Sequence, residues 1–169
     1  MLFYLSGSIE YAPDRGREWR AAITPFLASL GHDVYDPALD ETKNLTREEV
    51  SGFRSWKATD LARFQQTLRK IIEWDLDWIE HRCDAVLCYW DEYATRGAGT
   101  QAELTFAHRL GKPVFLVTGV PTAQISGWIL GCASHIFSDF QQFRDYTAAT
   151  GSHAQDARSH SSLVQGAQA

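Results

Sequence analysis

Two short segments, Asp84–Trp90 and Val114–Thr118, are apolar at nearly every position, and a stretch of helical period separates them. Strands of that kind are covered on both faces, which calls for helices above and below a sheet. The rest of the chain keeps the alternation. Leu2–Ser6 reads as a first buried strand ended by Gly7, and Ser8–Gly16 as a loop carrying Pro13. Asp14 is placed to cap a helix over about Arg15–Leu30, where Trp19, Ile23, Phe26, Leu27 and Leu30 recur at helical spacing before Gly31 stops it. His32–Tyr35 reads as a second strand closed by Asp36-Pro37, and Ala38–Thr46 as a loop. Arg47–Arg82 is helical in two or three pieces, with a break expected near Gly52. Thr100–Leu110 is a helix stopped by Gly111-Lys112-Pro113. A short helix near Ala123–Leu130 and a last strand near His135–Phe137 complete the series. Strands alternating with helices predict a parallel sheet with right-handed crossovers. The fold expected is an α/β three-layer sandwich around a five-stranded, flavodoxin-like (Rossmann-like) parallel sheet.

At 169 residues the chain is long enough for one domain with a substantial core. That domain is assigned to residues 1–146. Residues 147–169, rich in Ala, Ser, Gly, Gln and His, read as a disordered tail. Acidic residues number 21 against 16 Lys and Arg, and no basic run is present, which argues against nucleic acid as a partner. Single basic residues could still hold one phosphate. The apolar start Met1-Leu2-Phe3-Tyr4-Leu5 is too short for a signal peptide, and nothing reaches the length of a membrane span. Cys83, Cys88 and Cys132 lie in apolar segments without ligand spacing, as expected of reduced thiols in a cytoplasmic protein. His32, His81, His108 and His135 are scattered, and there is no Walker loop, so neither metal nor cofactor is expected.

The stretch Arg96-Gly97-Ala98-Gly99-Thr100-Gln101-Ala102-Glu103-Leu104 follows the third strand directly. A strand, a glycine-rich loop and a helix start is the usual ligand site of open α/β sheets. Backbone N–H groups at a helix start favour an anion, which predicts an ionised Glu103. An oriented carboxylate there is a candidate nucleophile, or a partner for a developing cation.

Four segments together resemble the nucleoside 2-deoxyribosyltransferase family and its relatives, the deoxynucleoside 5′-monophosphate N-glycosidases. They are Phe3-Tyr4-Leu5-Ser6-Gly7-Ser8-Ile9; Glu73-Trp74-Asp75-Leu76-Asp77-Trp78 followed by Cys83-Asp84-Ala85-Val86; the GTxxE pattern of Gly99-Thr100-Gln101-Ala102-Glu103-Leu104; and Gly111-Lys112-Pro113-Val114. The resemblance spans Phe3 to Phe143. It implies an enzyme of nucleotide salvage that moves 2-deoxyribose from a nucleoside to a free nucleobase. Glu103 would attack C1′ and form a covalent glycosyl ester, which a second base collects with net retention. Tyr4 would hydrogen-bond that carboxylate, and Asp75 would bind the sugar hydroxyl. Asp77, about 200° further around a helix, cannot face the same pocket. Ser6, Gly7, Ser8 and Ile9 would form the floor of the site, with Gly97, Gly99 and Thr100 beside the ligand. Gln124, four residues before Trp128, would reach the 5′-hydroxyl of a neighbouring subunit's substrate, which implies a homo-oligomer of two or more chains. One or two of the six tryptophans could stack on a base.

The chain also departs from the family pattern. Many members carry an aspartate six residues before the nucleophile to handle the base's protons; here that position is Gly97, and Asp91 would have to fold back into the role. Where the monophosphate glycosidases place an arginine for the 5′-phosphate, this chain has Glu10. A glutamate repels a dianion, which favours a free nucleoside. Arg15, Arg17 and Arg96 could rebuild a phosphate site from elsewhere. Two other readings therefore stand beside transfer: hydrolysis of a deoxynucleoside 5′-monophosphate, and a non-catalytic nucleotide-binding module on the same fold.

Overall fold

The computed structural model describes residues 1–40 and 42–150. Five strands, β1 (Leu2–Gly7), β2 (Asp33–Tyr35), β3 (Ala85–Trp90), β4 (Val114–Thr118) and β5 (His135–Phe137), form one sheet in the order β2-β1-β3-β4-β5. Every pairing is parallel. This is the doubly wound order of flavodoxin-like sheets, and the expected α/β sandwich is what forms.

The helices are α1 (Arg17–Ser29), α2 (Arg47–Thr59), α3 (Leu61–Asp77), α4 (Ala98–Arg109), α5 (Gly127–Cys132) and α6 (140–150). Asp14 does serve the start of α1, accepting from the N–H of Gly16 and of Glu18, each at 2.9 Å. The break in the long helical region falls at Asp60 and not at Gly52. Asp60 leaves helical geometry (φ −150°, ψ 81°), and its carboxylate caps α3 by accepting from Arg63 N at 3.1 Å. Gly52 lies inside α2 beneath the Trp56 indole, where a Cβ would stand 2.8 Å from the ring. Residues 147–150 continue α6, with the Thr147 hydroxyl donating to the Phe143 carbonyl. Residues 151–169, most of the expected tail, lie outside the described residues.

Strand alternation sorts the core into two sides. Phe3 and Leu5 of β1 pack with Ile23 and Leu27 of α1, Leu87, Val117 and Phe143 on one face. Tyr4 of the same strand packs with Val86, Cys88, Leu104, Leu116 and Ile129 on the other, under α3, α4 and α5. Arg20 of α1 is fully buried at the carboxyl end of β1. Its guanidinium donates to the carbonyls of Leu5, Gly7, Arg15 and Gly16 at 2.9–3.3 Å, and Nε lies 3.4 Å from Asp36 Oδ1. Gly16 (φ 67°) is required there, because a Cβ would come within 2.6 Å of the Ser8 carbonyl oxygen.

Candidate active site

β1 and β3 are neighbours, and the chain leaves β1 toward β2 on one side and β3 toward β4 on the other. Open α/β sheets bind ligands in the crevice at such a switch point. A cavity of about 670 Å³ occupies it, bounded below by the loop after β1, on one side by the start of α4 and on the other by α2 and α3.

Glu103 projects into this cavity from the second turn of α4, because the helix starts at Ala98, earlier than the sequence suggests. Tyr4 OH donates to its Oε1 at 2.9 Å and Ser6 Oγ to its Oε2 at 2.6 Å. Residues 4 and 6 share one face of β1, so a single strand supplies both donors. Burial, reinforced by the charge of Asp75, pushes the Glu103 carboxyl up to about 7; the two hydroxyls and Lys43 pull the other way. The helix start alone leads one to expect an ionised carboxylate; burial acts against that expectation. Tyr4 is fully buried, and burial followed by the Glu103 charge holds its phenol well above the usual range, so it remains a donor.

Asp75 faces the same cavity from α3 at the end of the stripe Phe64, Leu68, Ile71. Both of its oxygens accept from Lys43 Nζ, at 2.5 and 2.7 Å. Burial raises the Asp75 carboxyl, while Lys43 opposes that rise. Asp77 points elsewhere, to His81 and Arg82. Lys43 is a site residue that sequence reasoning missed. Lys43 and Asn44 both take left-handed backbone (φ 37° and 61°), which turns the lysine inward. Asp40 holds the turn by accepting from Lys43 N, and its other oxygen takes Tyr35 OH and Trp74 Nε1.

Gly7, Ser8, Ile9, Gly97, Gly99 and Thr100 all line the cavity. Nothing lies within 4 Å of a Cβ built on Gly99, so a side chain there would take space from a ligand. Asp91 is not brought in. Its carboxylate is spent on the backbone N–H groups of Tyr93 and Ala94, and it lines a separate hollow with Trp19 and Phe140. Gln124 is exposed in the 3₁₀ turn Thr122–Gln124 and does not line this chain's cavity. None of the tryptophans lines it either; its aromatic wall is Phe53 and Phe64, stacked at 6.4 Å, with Tyr11. Of the three arginines suggested for a phosphate, only Arg15 lines the cavity; Arg96 lies over the Tyr11 ring. Among the described residues no cluster of three or more His, Cys, Asp or Glu is placed to hold a metal.

The arrangement is suited to attack on an electrophilic carbon: one carboxyl near neutrality, two fixed hydroxyl donors, and a second carboxylate whose charge a lysine offsets. Comparison with known proteins bears on what that carbon belongs to. No curated sequence matches the chain significantly. Among solved structures it is similar to a 2-deoxyribosyltransferase from Bacillus psychrosaccharolyticus (20% identity, 89% of this chain and 96% of that one, TM-score 0.59). It is also similar to a CMP N-glycosidase from Clostridium botulinum (12% identity, 89% and 99%, TM-score 0.52). At those identities the likeness is one of fold. The family model described as nucleoside 2-deoxyribosyltransferase matches residues 3–145, a span that holds both β1 hydroxyls, Asp75 and Glu103. The chain belongs to the nucleoside 2-deoxyribosyltransferase family.

Proposed function

We propose that this protein transfers 2-deoxyribose between nucleobases through a glycosyl ester on Glu103. The observation that carries this reading is the Glu103 carboxyl held between Tyr4 and Ser6 at the switch-point cavity, with Asp75 on the facing wall. In the first half-reaction a Glu103 oxygen bonds to C1′. The C1′–N bond breaks, its electron pair stays on the base nitrogen, and the base takes up a proton as it leaves. In the second, a nitrogen of an incoming base attacks C1′ from the vacated side, sheds a proton, and returns Glu103 as a carboxylate. Two inversions give retention. Tyr4 and Ser6 aim the nucleophile and restrain the rise in its basicity, and Asp75 holds a sugar hydroxyl once Lys43 yields an oxygen to it. Phe53 and Phe64 supply apolar surface for the base. Water can replace the incoming base, so slow hydrolysis accompanies transfer when no acceptor is present. The exposure of Gln124 and of Trp128 supports a homo-oligomer in which this amide completes a neighbour's site.

The test is incubation of a 2′-deoxynucleoside donor, as such and as its 5′-monophosphate, with adenine, followed by chromatography. A new deoxyadenosine-type product, absent with Glu103→Ala, is the expected result. Unchanged turnover in Glu103→Ala would eliminate the assignment of the nucleophile. Binding without turnover in the parent protein would favour a binding module.

A further inference from the structure

A nucleobase that leaves C1′ with an electron pair needs a proton, and a positioned side chain is the usual source. Glu103 is not that source, because it attacks as the carboxylate. Gly97 has no side chain, and Asp91 lines the other hollow. Burial works to raise the Asp40 carboxyl, but hydrogen bonds from Tyr35 and Trp74 outweigh burial and hold it below the usual range. Asp40 therefore has no proton to give. Arg15 and Arg54 line the cavity, but a guanidinium does not release a proton in a protein. Lys57 is more than half exposed at the rim and is bound to Glu10 at 3.0 Å. The Tyr11 ring is engaged by the Arg96 guanidinium, which is not part of the cavity wall.

Lys43 remains. It lines the cavity and is only 8% exposed. An ammonium has three hydrogens. Lys43 Nζ donates to both oxygens of Asp75, and among the described residues it has no further acceptor. A carboxyl that accepts through both oxygens from one ammonium carries no proton of its own, so Asp75 is not the donor either. The charge of Lys43 also reaches Glu103, where it acts against the rise caused by burial and by Asp75. The ammonium thus adjoins both carboxyl groups that meet the sugar. Two consecutive left-handed residues, Lys43 and Asn44, hold it there (φ 37° and 61°). Such backbone is unfavourable for lysine, and costs of this kind persist where a site uses them.

We propose that Lys43 is the proton donor to the departing nucleobase and the proton acceptor from the incoming one. As the C1′–N bond breaks, a proton passes from Nζ to a ring nitrogen of the base, which leaves neutral, and Lys43 becomes an amine. When the second base attacks C1′, its N–H proton passes to that amine and the ammonium is restored. With water as acceptor, the amine takes the water's proton in the same way. A lysine ammonium and a nucleobase ring N–H are acids of comparable strength, which suits a reversible exchange. The inference rests on the glycosyl-transfer reading and adds a catalytic residue to it.

The experiment varies how much the leaving base needs a proton. Two donor pairs are used: 2′-deoxyguanosine against its 7-methyl cation, and 2′-deoxyuridine against 5-nitro-2′-deoxyuridine. In each pair the second base departs without protonation, as a neutral molecule or a stable anion. kcat/KM for base release, which reports the steps up to departure, is measured in the parent, Lys43→Arg and Lys43→Gln, with Glu103→Ala as background. Arginine keeps the charge beside Asp75 and glutamine keeps an N–H donor, but neither can deliver the proton; thermal melts check that both fold. The expected loss with the ordinary donor is about 100-fold or more, and the loss with the activated donor is smaller by about tenfold or more. In the parent, rates depend weakly on the acidity of the leaving base. Equal losses with both donors overturn the proposal and leave Lys43 a positioning residue for Asp75. A parental rate with the ordinary donor in Lys43→Arg, or a steep dependence on acidity already in the parent, overturns it as well. In each of those cases glycosyl transfer stands, provided that Glu103→Ala is inactive. Release from no donor above the Glu103→Ala background is the separate result that removes the glycosyl-transfer reading, and the proton role with it.

Discussion

The two faces of the sheet are built from the same strands and do different work. On the α1 and α6 side, Phe3 and Leu5 meet Ile23, Leu27 and Phe143 in a dry interlock of apolar groups. On the other side, the residues one position along β1 put two hydroxyls on a desolvated carboxyl, with a lysine-paired aspartate nearby. The first face lowers the free energy of the fold. The second gives some of it back, since a carboxyl whose pKa rises on folding opposes folding once ionised. The period of two in a strand lets these demands coexist a single residue apart, with no separate domain for function.

The comparison breaks most sharply at Glu103. Glu103→Ala is expected to lower glycosyl transfer by about 10⁴-fold or more, as loss of a nucleophile commonly does, while the protein remains folded. Steady-state assays beside a thermal melt check both halves. The mirror experiment is Phe143→Ala on the packed face. Emptying that fully buried ring should cost about 3–5 kcal/mol in a denaturant melt, with turnover per folded molecule kept. A Phe143→Ala protein that loses turnover but not stability would mean the two faces are not separable.

A smaller effect tests the cost of the charge directly. The Glu103 carboxyl titrates near 7 in the fold against 4.5 as a free side chain. Below 4.5 it is protonated whether folded or not, and no penalty exists. Between 4.5 and 7 the unfolded chain ionises first, so the parent loses stability as pH rises, and above 7 the loss is complete. Glu103→Gln should therefore be more stable than the parent by about 1–3 kcal/mol at pH 8, the gain vanishing toward pH 4.5. Equal melting at both pH values would contradict a desolvated carboxyl. The smallest effect is kinetic. Tyr4→Phe removes a donor that stabilises the anion, so the rising limb of rate against pH should move upward by about one unit. A limb that stays in place would mean that Tyr4 packs without tuning.

Much of this was legible in sequence because it is local. The apolar runs at 85–89 and 114–118 set a covered parallel sheet, and alternation along Phe3-Tyr4-Leu5-Ser6 already divides core from site. The stripe Phe64-Leu68-Ile71-Asp75 runs at helical spacing, which is why Asp75 and not Asp77 faces the cavity. What escaped depends on the path of the chain through space. Lys43 enters the site through two left-handed residues in a loop without periodicity, and Arg54 reaches it from a helix far from the motif segments. Asp91 lies outside this cavity because a carboxylate two residues before free N–H groups closes on its own backbone. The upward push on the Glu103 carboxyl was not legible because burial is not readable from one helix.

Arg20 gives the site a particular dynamic character. One buried guanidinium holds four carbonyls from β1 and the 15–16 turn, so that turn cannot lift away one hydrogen bond at a time. Its opening is coupled to release of the whole clasp, and its amides should exchange with deuterium only in rare, cooperative events. The opposite wall differs. α2 has no fully buried residue, and its amides should exchange early. Entry and exit of a ligand then fall to the α2 side, against a floor that stays still.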